Sequence, residues 1–220
     1  MAQQDASVQG GRPGAARAGY RHGDLRQALI DAGLEMAREG GPDAVVLREA
    51  TRRAGVSPNA AYRHFADRSA LVTAVSDAAS GEVAAAIERE WDAVPPALDP
   101  VATAQEHLRA VGRGYLGFAR DEPGLFRAAF TVPADLDEAF GRSKAGPGGR
   151  TPFELLASAL DELVAAGALP EERRPLSEVA CWSAVHGLAM LVLEGPLRGL
   201  PRELGRVAAQ RVIEMAVRGV

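Results

Sequence analysis

The chain has one cysteine, Cys181, and one lysine, Lys144. A lone thiol closes no internal disulfide and cannot by itself build a thiolate metal site. One lysine beside twenty-four arginines, with abundant alanine and glycine, reflects GC-rich coding, so arginine count alone says nothing about function. The first twenty residues lack the apolar core of a signal peptide. The longest apolar run, Val179 to Leu193, is interrupted by Ser183, His186 and Gly187. It is too short and too polar to span a bilayer. A cytoplasmic protein with no membrane attachment is expected.

Catalytic and metal signatures are equally sparse. The four histidines, His22, His64, His107 and His186, stand apart, without the i, i+4 spacing that would bring two onto one helical face. No Ser, Cys or Lys comes with a nucleophile elbow or a recognisable base. Asp121-Glu122 and Glu171-Glu172 lie beside prolines at helix starts, where carboxylates complement the helix dipole. Gly112, Gly114 and Gly117 match G-x-G-x-x-G, but a dinucleotide site needs a strand before that pattern and a βαβ unit around it. Here the flanks read as helix, so the glycines instead permit close helix packing or leave room beside a ligand. No catalytic residue, metal site or cofactor is expected.

The composition, 47% hydrophobic and 25% charged over 220 residues, suits a chain that builds a sizeable core. The net charge is −4, unevenly divided. Residues 1 to 68 carry ten arginines against eight acids, and the remainder carries fifteen basic residues against twenty-one acidic ones. The modest basic excess therefore sits in the first third of the chain.

Periodicity along the chain is helical throughout, with no strand alternation and no repeat. Residues 1–19 read as a disordered arm, with Arg12 and Arg17 available to brush phosphates. Asp24 to Glu39 is a helix with Leu25, Leu29, Ala32 and Met36 on its buried face. From Arg68 to Trp91, apolar residues recur at Leu71, Val75, Ala79, Val83, Ile87 and Trp91. This makes one long helix able to join a small N-terminal head to a larger remainder. Pro95, Pro96 and Pro100 break the chain. Helices are then expected over His107 to Arg120, Phe153 to Ala166 (burying Leu156, Leu160, Leu163 and Val164), Leu176 to Leu193 and Glu203 to Arg218. A short segment spans Gly124 to Phe130, and Gly141 to Thr151 reads as a mobile loop. The fold class is all-α with about nine helices.

One stretch stands out between Val45 and Phe65. Leu47, Ala50 and Ala54 share one face of a short helix that Gly55 ends. Val56 plugs the gap, and Ser57-Pro58 starts a second helix with a capping hydroxyl and a first-turn proline. Ala61 and Phe65 face inward, leaving Asn59, Tyr62, Arg63 and His64 outward. Such a helix fits the DNA major groove. It also fits an ordinary helical hairpin facing solvent.

The wording of the stretch separates the two. Gly55-Val56-Ser57, Tyr62-Arg63-His64-Phe65 and Asp67-Arg68-Ser69-Ala70-Leu71 closely resemble the signature of the tetracycline-repressor (TetR) family, over about Arg21 to Leu71. The resemblance implies DNA contacts from Ser57, Pro58, Asn59, Ala60, Tyr62, Arg63 and His64, with Arg48 within reach of a base or phosphate. Two residues depart from the family pattern. Val46 stands where a capping threonine that touches phosphate is usual, and Thr51 where alanine is preferred.

The later chain carries its own pattern. Tyr115, Phe118, Phe126 and Phe130 cluster, and Trp182, His186 and Met190 share a face at i, i+4, i+8. Plain core accounts for any one of them. Together their polar tips suggest a mostly apolar pocket with a few directing groups. The segment from Leu176 to Leu193 is apolar nearly all round, and Leu204, Ala208, Val212 and Met215 stripe the last helix. A second copy of the chain would bury both as a four-helix bundle. Cys181-Trp182-Ser183-Ala184-Val185-His186-Gly187-Leu188 resembles the Trp-x-x-x-His-Gly core of one TetR ligand-domain subgroup.

The expected organisation is an arm (1–19), a helix-turn-helix DNA-binding domain (20–67) and a ligand-binding and dimerisation domain (68–220). The resemblance implies a homodimer, joined through its last two helices, that binds a palindromic operator in double-stranded DNA. Its two heads would sit roughly 34–36 Å apart. A small hydrophobic or amphipathic ligand would release a repressor of this kind. An activator or a ligand-independent DNA binder of the same fold is the alternative, and an α-helical enzyme or binding protein the remote one.

Overall fold

A computed structural model describes residues 22–96, 99–132 and 141–220. The expected arm, with Arg12 and Arg17, lies outside the described residues. Nine α-helices are described: α1 (His22–Gly40), α2 (Leu47–Arg53), α3 (Pro58–Tyr62), α4 (Arg68–Asp92), α5 (Pro100–Asp121), α6 (Pro123–Ala129), α7 (Pro152–Ala165), α8 (Ser177–Leu193) and α9 (Arg202–Gly219). No strand occurs among the described residues.

Local chemistry sets most helix ends. Ser57 accepts a hydrogen bond from the Ala60 N–H at 3.3 Å ahead of Pro58, and Asp67 accepts from Ala70 N–H at 2.9 Å. Thr151 and Glu154 form a reciprocal capping box at the start of α7. Gly55, between α2 and α3, has φ +66, a conformation that costs other L-residues about 1 kcal/mol or more. Two boundaries differ from the sequence expectation. Helix α3 stops at Tyr62, and Phe65 reaches the core from a turn beyond it. Pro100 begins α5 rather than breaking the chain, because Asp99 accepts from the Val101 N–H and proline is tolerated in a first turn.

Helix α4 is the spine. Leu71, Val75, Ala79, Val83 and Ile87 are all buried, as their four-residue spacing requires. Each large one contributes about 1.5–3 kcal/mol by leaving water. Among the described residues α4 is the one helix long and apolar enough, by length and composition, to cross a membrane. Its apolar stripe is instead the centre of the protein core. The N-terminal helices lean on its first turns. A methyl added at Gly33 of α1 would come within 2.4 Å of Val75. Arg68 donates to the Val45 carbonyl at 2.7 Å and to the Pro42 carbonyl at 3.1 Å, tying α4 to the connection between α1 and α2.

The Gly141–Thr151 segment, expected as a mobile loop, packs along α4. A side chain at Gly81 would strike the Ala145 carbonyl, and Gly148 donates its N–H to Glu88 at 3.1 Å. Arg150 lies over the Trp91 ring, which stacks on His107 at 4.1 Å. His107 Nδ1 in turn meets Glu162 of α7 at 2.5 Å. Glycine content suggested freedom; here the glycines let the loop backbone approach the helix.

The glycine pattern in α5 has a packing role. A Cβ at Gly114 would fall 2.5 Å from the Ile87 Cα, so glycine is needed where α5 crosses α4. Gly112 faces the Ile213 side chain of α9, and no neighbour crowds Gly117.

Candidate functional site

Two features converge on the spine: an exposed face on α2 and α3, and a cavity between α4, α5, α7, α8 and α9. On the face, Arg48, Ser57, Pro58, Asn59, Tyr62 and Arg63 are exposed, while Ala60 and His64 are partly buried. Tyr62 is 58% exposed, high for so large an aromatic. Arg63 and His64 lie just past the C-terminal end of α3. The structure thus brings these sequence-derived candidates to adjoining turns.

Electrostatics sort the arginines of this region. Arg53 makes a bidentate pair with Glu39 at 2.8 and 2.7 Å and also reaches Glu49 at 3.0 Å. Arg52 pairs with the same Glu49, and Arg38 with Glu122. Hydrogen bonds from Arg52 and then Arg53 hold the Glu49 carboxyl down at about 2. Arg26 rests on the Phe65 ring, and Arg68 is committed to backbone carbonyls. Among the described exposed arginines of the head, Arg48 and Arg63 have neither an acidic partner nor one of these other contacts. Charge here is therefore placed rather than merely abundant.

The two departures from the family pattern resolve locally. Val46 begins α2 with no side-chain cap and remains 44% exposed. The buried Thr51 donates its hydroxyl to the Arg48 carbonyl at 2.6 Å, which satisfies it inside the hairpin.

The cavity has a volume of about 340 Å³, at the small end of ligand sites. Tyr115, Phe130, Trp182 and His186 line it, as the sequence pattern suggested. The other three candidates do not. Phe126 is wholly buried behind it, edge-on to Tyr115 at 5.2 Å. Phe118 and Met190 point elsewhere into the packing. Helical spacing placed all seven near one another but did not distinguish wall from backing.

A polar triad crosses the wall. Trp182 Nε1 donates to Tyr115 Oη at 3.1 Å, and Tyr115 Oη lies 2.8 Å from His186 Nδ1. Tyr115 is 4% exposed, so its own proton needs an interior acceptor. Nδ1 supplies one, which puts the imidazole proton on Nε2. Burial pushes the Tyr115 phenol well above its usual range and lowers His186, so both stay neutral near pH 7. Burial, with the Glu178 charge, raises the Cys181 thiol to about 11, leaving it an unreactive wall group.

Sequence reasoning missed part of the lining: Ser80 of α4, Phe153 of α7, Ile213 and Val217 of α9, and Lys144 from the packed loop. Among the described residues Lys144 is the one charged residue lining the cavity. Its being the single lysine was the available signal, hidden because the segment read as a free loop. Among the described residues no group of three or more His, Cys, Asp or Glu side chains is placed to hold a metal.

Helix α6 links the two features. At its start, a Cβ on Gly124 would lie 2.2 Å from the Ala37 carbonyl, so α6 abuts the end of α1. Arg38 of α1 pairs with Glu122, which caps the start of α6, at 3.0 Å. At the other end, Ala129 and Phe130 line the cavity.

A three-helix head with a helix-turn-helix, carried on an all-α body, defines a class of DNA-binding regulators. Comparison with known families agrees. The family described as "Bacterial regulatory proteins, tetR family" matches residues 29–75, and "Tetracyclin repressor-like, C-terminal domain" matches residues 108–216. The chain belongs to the TetR family of DNA-binding transcriptional regulators, which are not enzymes. No curated protein matches it by sequence. Among solved structures it is similar to a protein with unknown function from Rhodococcus sp. RHA1, at 24% identity and a TM-score of 0.68, covering 92% of this chain and 98% of that one. It also resembles a putative tetR-family transcriptional regulator from Mesorhizobium loti MAFF303099, at 16% identity, a TM-score of 0.55 and coverages of 90% and 98%. A third is RolR in complex with resorcinol, at 17% identity, a TM-score of 0.53 and 88% of each chain. At these identities the likenesses speak to the fold.

Proposed function

We propose that the protein is a homodimeric, one-component repressor that holds a palindromic operator and lets go when a small, largely apolar molecule fills the cavity. Residues 20–67 act as the reading domain and residues 68–220 as the sensing and pairing domain. Ser57, Pro58, Asn59, Ala60, Tyr62, Arg63 and His64 meet the major groove, with Arg48 beside the phosphates. Tyr115, Phe130, Trp182 and His186 meet the ligand. Phe126 supports that wall from behind, and Phe118 and Met190 belong to the packing around it.

The observation that carries this reading is α6, one short helix with the α1 carbonyls against its first turn and the cavity against its last. A guest that displaces Phe130 or Ala129 has a rigid route to α1. Helix α4 offers a second route, since its start holds the α1–α2 connection through Arg68 and its middle lines the cavity at Ser80 and Ile87. DNA affinity falls by coupling between sites rather than by competition. RolR, which shares the fold, has been seen with resorcinol, a precedent for a small aromatic guest.

Pairing through α8 and α9 is supported by their bare outer faces. Of the eight exposed large hydrophobics among the described residues, Val46 and Tyr62 lie in the head. The other six are Leu176, Val179 and Leu191 at α8 and Leu204, Val207 and Met215 on α9. No side chain stands within 4 Å of where a Cβ would be at Gly187 or Gly205, so these faces can approach a partner closely. Sedimentation should show a dimer, and a mobility-shift assay should show binding to a two-fold symmetric site that weakens steeply with salt. A reporter in a deletion strain decides the sign: the target gene rises if the protein represses and falls if it activates. A monomer in solution, or binding to a single half-site with full affinity, would overturn the dimeric reading.

A further inference from the structure

The chemistry of the cavity wall narrows the guest to one charge class. Among the described residues Lys144 is the single charged lining residue, and no described aspartate or glutamate lines the cavity. Elsewhere in the same body, several cations are matched to acids, though Arg127 and Arg150 are not among them. Arg109 pairs with Glu214, Arg113 with Glu90 and Glu106, and Arg174 with Asp161 and Glu178. Lys144 has no acidic partner among the described residues. It is also held in place, because its segment packs on α4 through Ala145 against Gly81 and through the Gly148 N–H on Glu88.

The neutral part of the wall points the same way. With Tyr115 donating its proton to His186 Nδ1, the triad's remaining donor is the Nε2–H, beside one unused lone pair on the Tyr115 oxygen. Among the described side chains the cavity therefore offers a neutral donor and a positive charge, and no carboxylate. A cationic guest would meet no described carboxylate and the like charge of Lys144. An anion finds Lys144. The remaining walls are aromatic, with Phe130, Phe153 and Trp182, and the volume of about 340 Å³ admits one or two rings.

We infer that the ligand is a small aromatic monoanion of the carboxylate class, its charge on Lys144 and its ring system among Phe130, Phe153 and Trp182. This rests on the reading of the cavity as the ligand site. The charge follows from Lys144 alone and can fail by itself.

The test uses the full chain and a panel of one- and two-ring probes in matched forms: benzoate and naphthalene-1-carboxylate, their primary amides, and the corresponding arylmethylamines. Calorimetry should show each carboxylate binding about tenfold or more tightly than its amide, the advantage of a charge-assisted hydrogen bond, with the amines silent. Lys144→Met should remove that preference while leaving amide affinity within about twofold, and Lys144→Arg should keep it. Equal binding of acid and amide by the unmodified protein, or a preference that survives Lys144→Met, overturns the anion and leaves the cavity as a neutral site. Binding of no probe in any form overturns the cavity reading as well.

Discussion

The head and the helical body around the cavity place polar groups in opposite ways. The head spends most of its arginines on internal partners and exposes the few that remain. Arg52 and Arg53 are locked to Glu49 and Glu39, while Arg48 and Arg63 stand free of acids. The body buries its polar groups in a wall, where Tyr115, Trp182 and His186 satisfy one another, and leaves apolar side chains on its outer helices. A surface that must meet phosphates in water needs placed charge. A cavity proposed to accept an apolar body needs polar groups that are satisfied until a guest arrives. One net charge of −4 covers both designs, which is why composition reveals neither.

The contrast predicts which substitutions harm folding and which harm function. The largest effect belongs to Phe126→Ala: with the ring wholly buried, the cavity left behind should lower stability by about 3–5 kcal/mol, measured by thermal or urea unfolding. An effect below about 1 kcal/mol would mean that this wall backing is not rigid core. Next come Tyr62→Ala and Arg63→Ala, which should weaken operator binding by roughly ten- to a hundredfold while changing stability by less than about 0.5 kcal/mol. Unchanged affinity in a mobility-shift assay would remove these residues from the DNA contact. Trp182→Phe keeps an aromatic side chain, though a smaller one, and deletes the N–H to Tyr115. It should raise the ligand concentration needed for release by about three- to tenfold and leave DNA affinity alone. An unaltered release curve would argue against the triad as part of the ligand site.

The smallest effect is on pH. Burial holds the folded His186 pKa below its ordinary value of 6.5, so the unfolded chain binds its proton more readily. The stability tied to neutral His186 is full above about pH 6.5 and is lost as pH falls through the folded pKa. Melting temperatures taken from about pH 7.5 down to about pH 5 should fall more for the wild type than for His186→Asn. Parallel curves would place His186 in water rather than in the wall.

Most of the fold could be read from spacing. The four-residue recurrence from Leu71 to Ile87 marked α4, because a buried helical stripe leaves no other pattern. Ser57-Pro58 and Gly55 marked the turn between α2 and α3 through their backbone chemistry. The DNA-reading candidates were visible for the same reason: polar residues on a short helix with an apolar reverse side have few structural duties. The cavity was harder to read. Periodicity shows that Tyr115, Phe118, Phe126 and Phe130 lie close together but not which of them borders empty space, since that depends on how five helices meet. Lys144 escaped because glycines in its loop signalled freedom, whereas here they allow contact with α4. The role of α6 was equally hidden, for the demand on Gly124 comes from carbonyls more than eighty residues earlier in the chain.

The central claim is that cavity and reading face are two ends of one equilibrium. It is tested most directly by titrating naphthalene-1-carboxylate into the full-length protein bound to a fluorescent operator selected from a random DNA pool, and by repeating the ligand titration with and without that DNA. The account predicts that the probe lowers DNA affinity and that DNA lowers probe affinity by the same factor, of about five- to 150-fold, as linkage requires. A probe that fills the cavity, as judged by Trp182 fluorescence, while DNA affinity stays constant would contradict it.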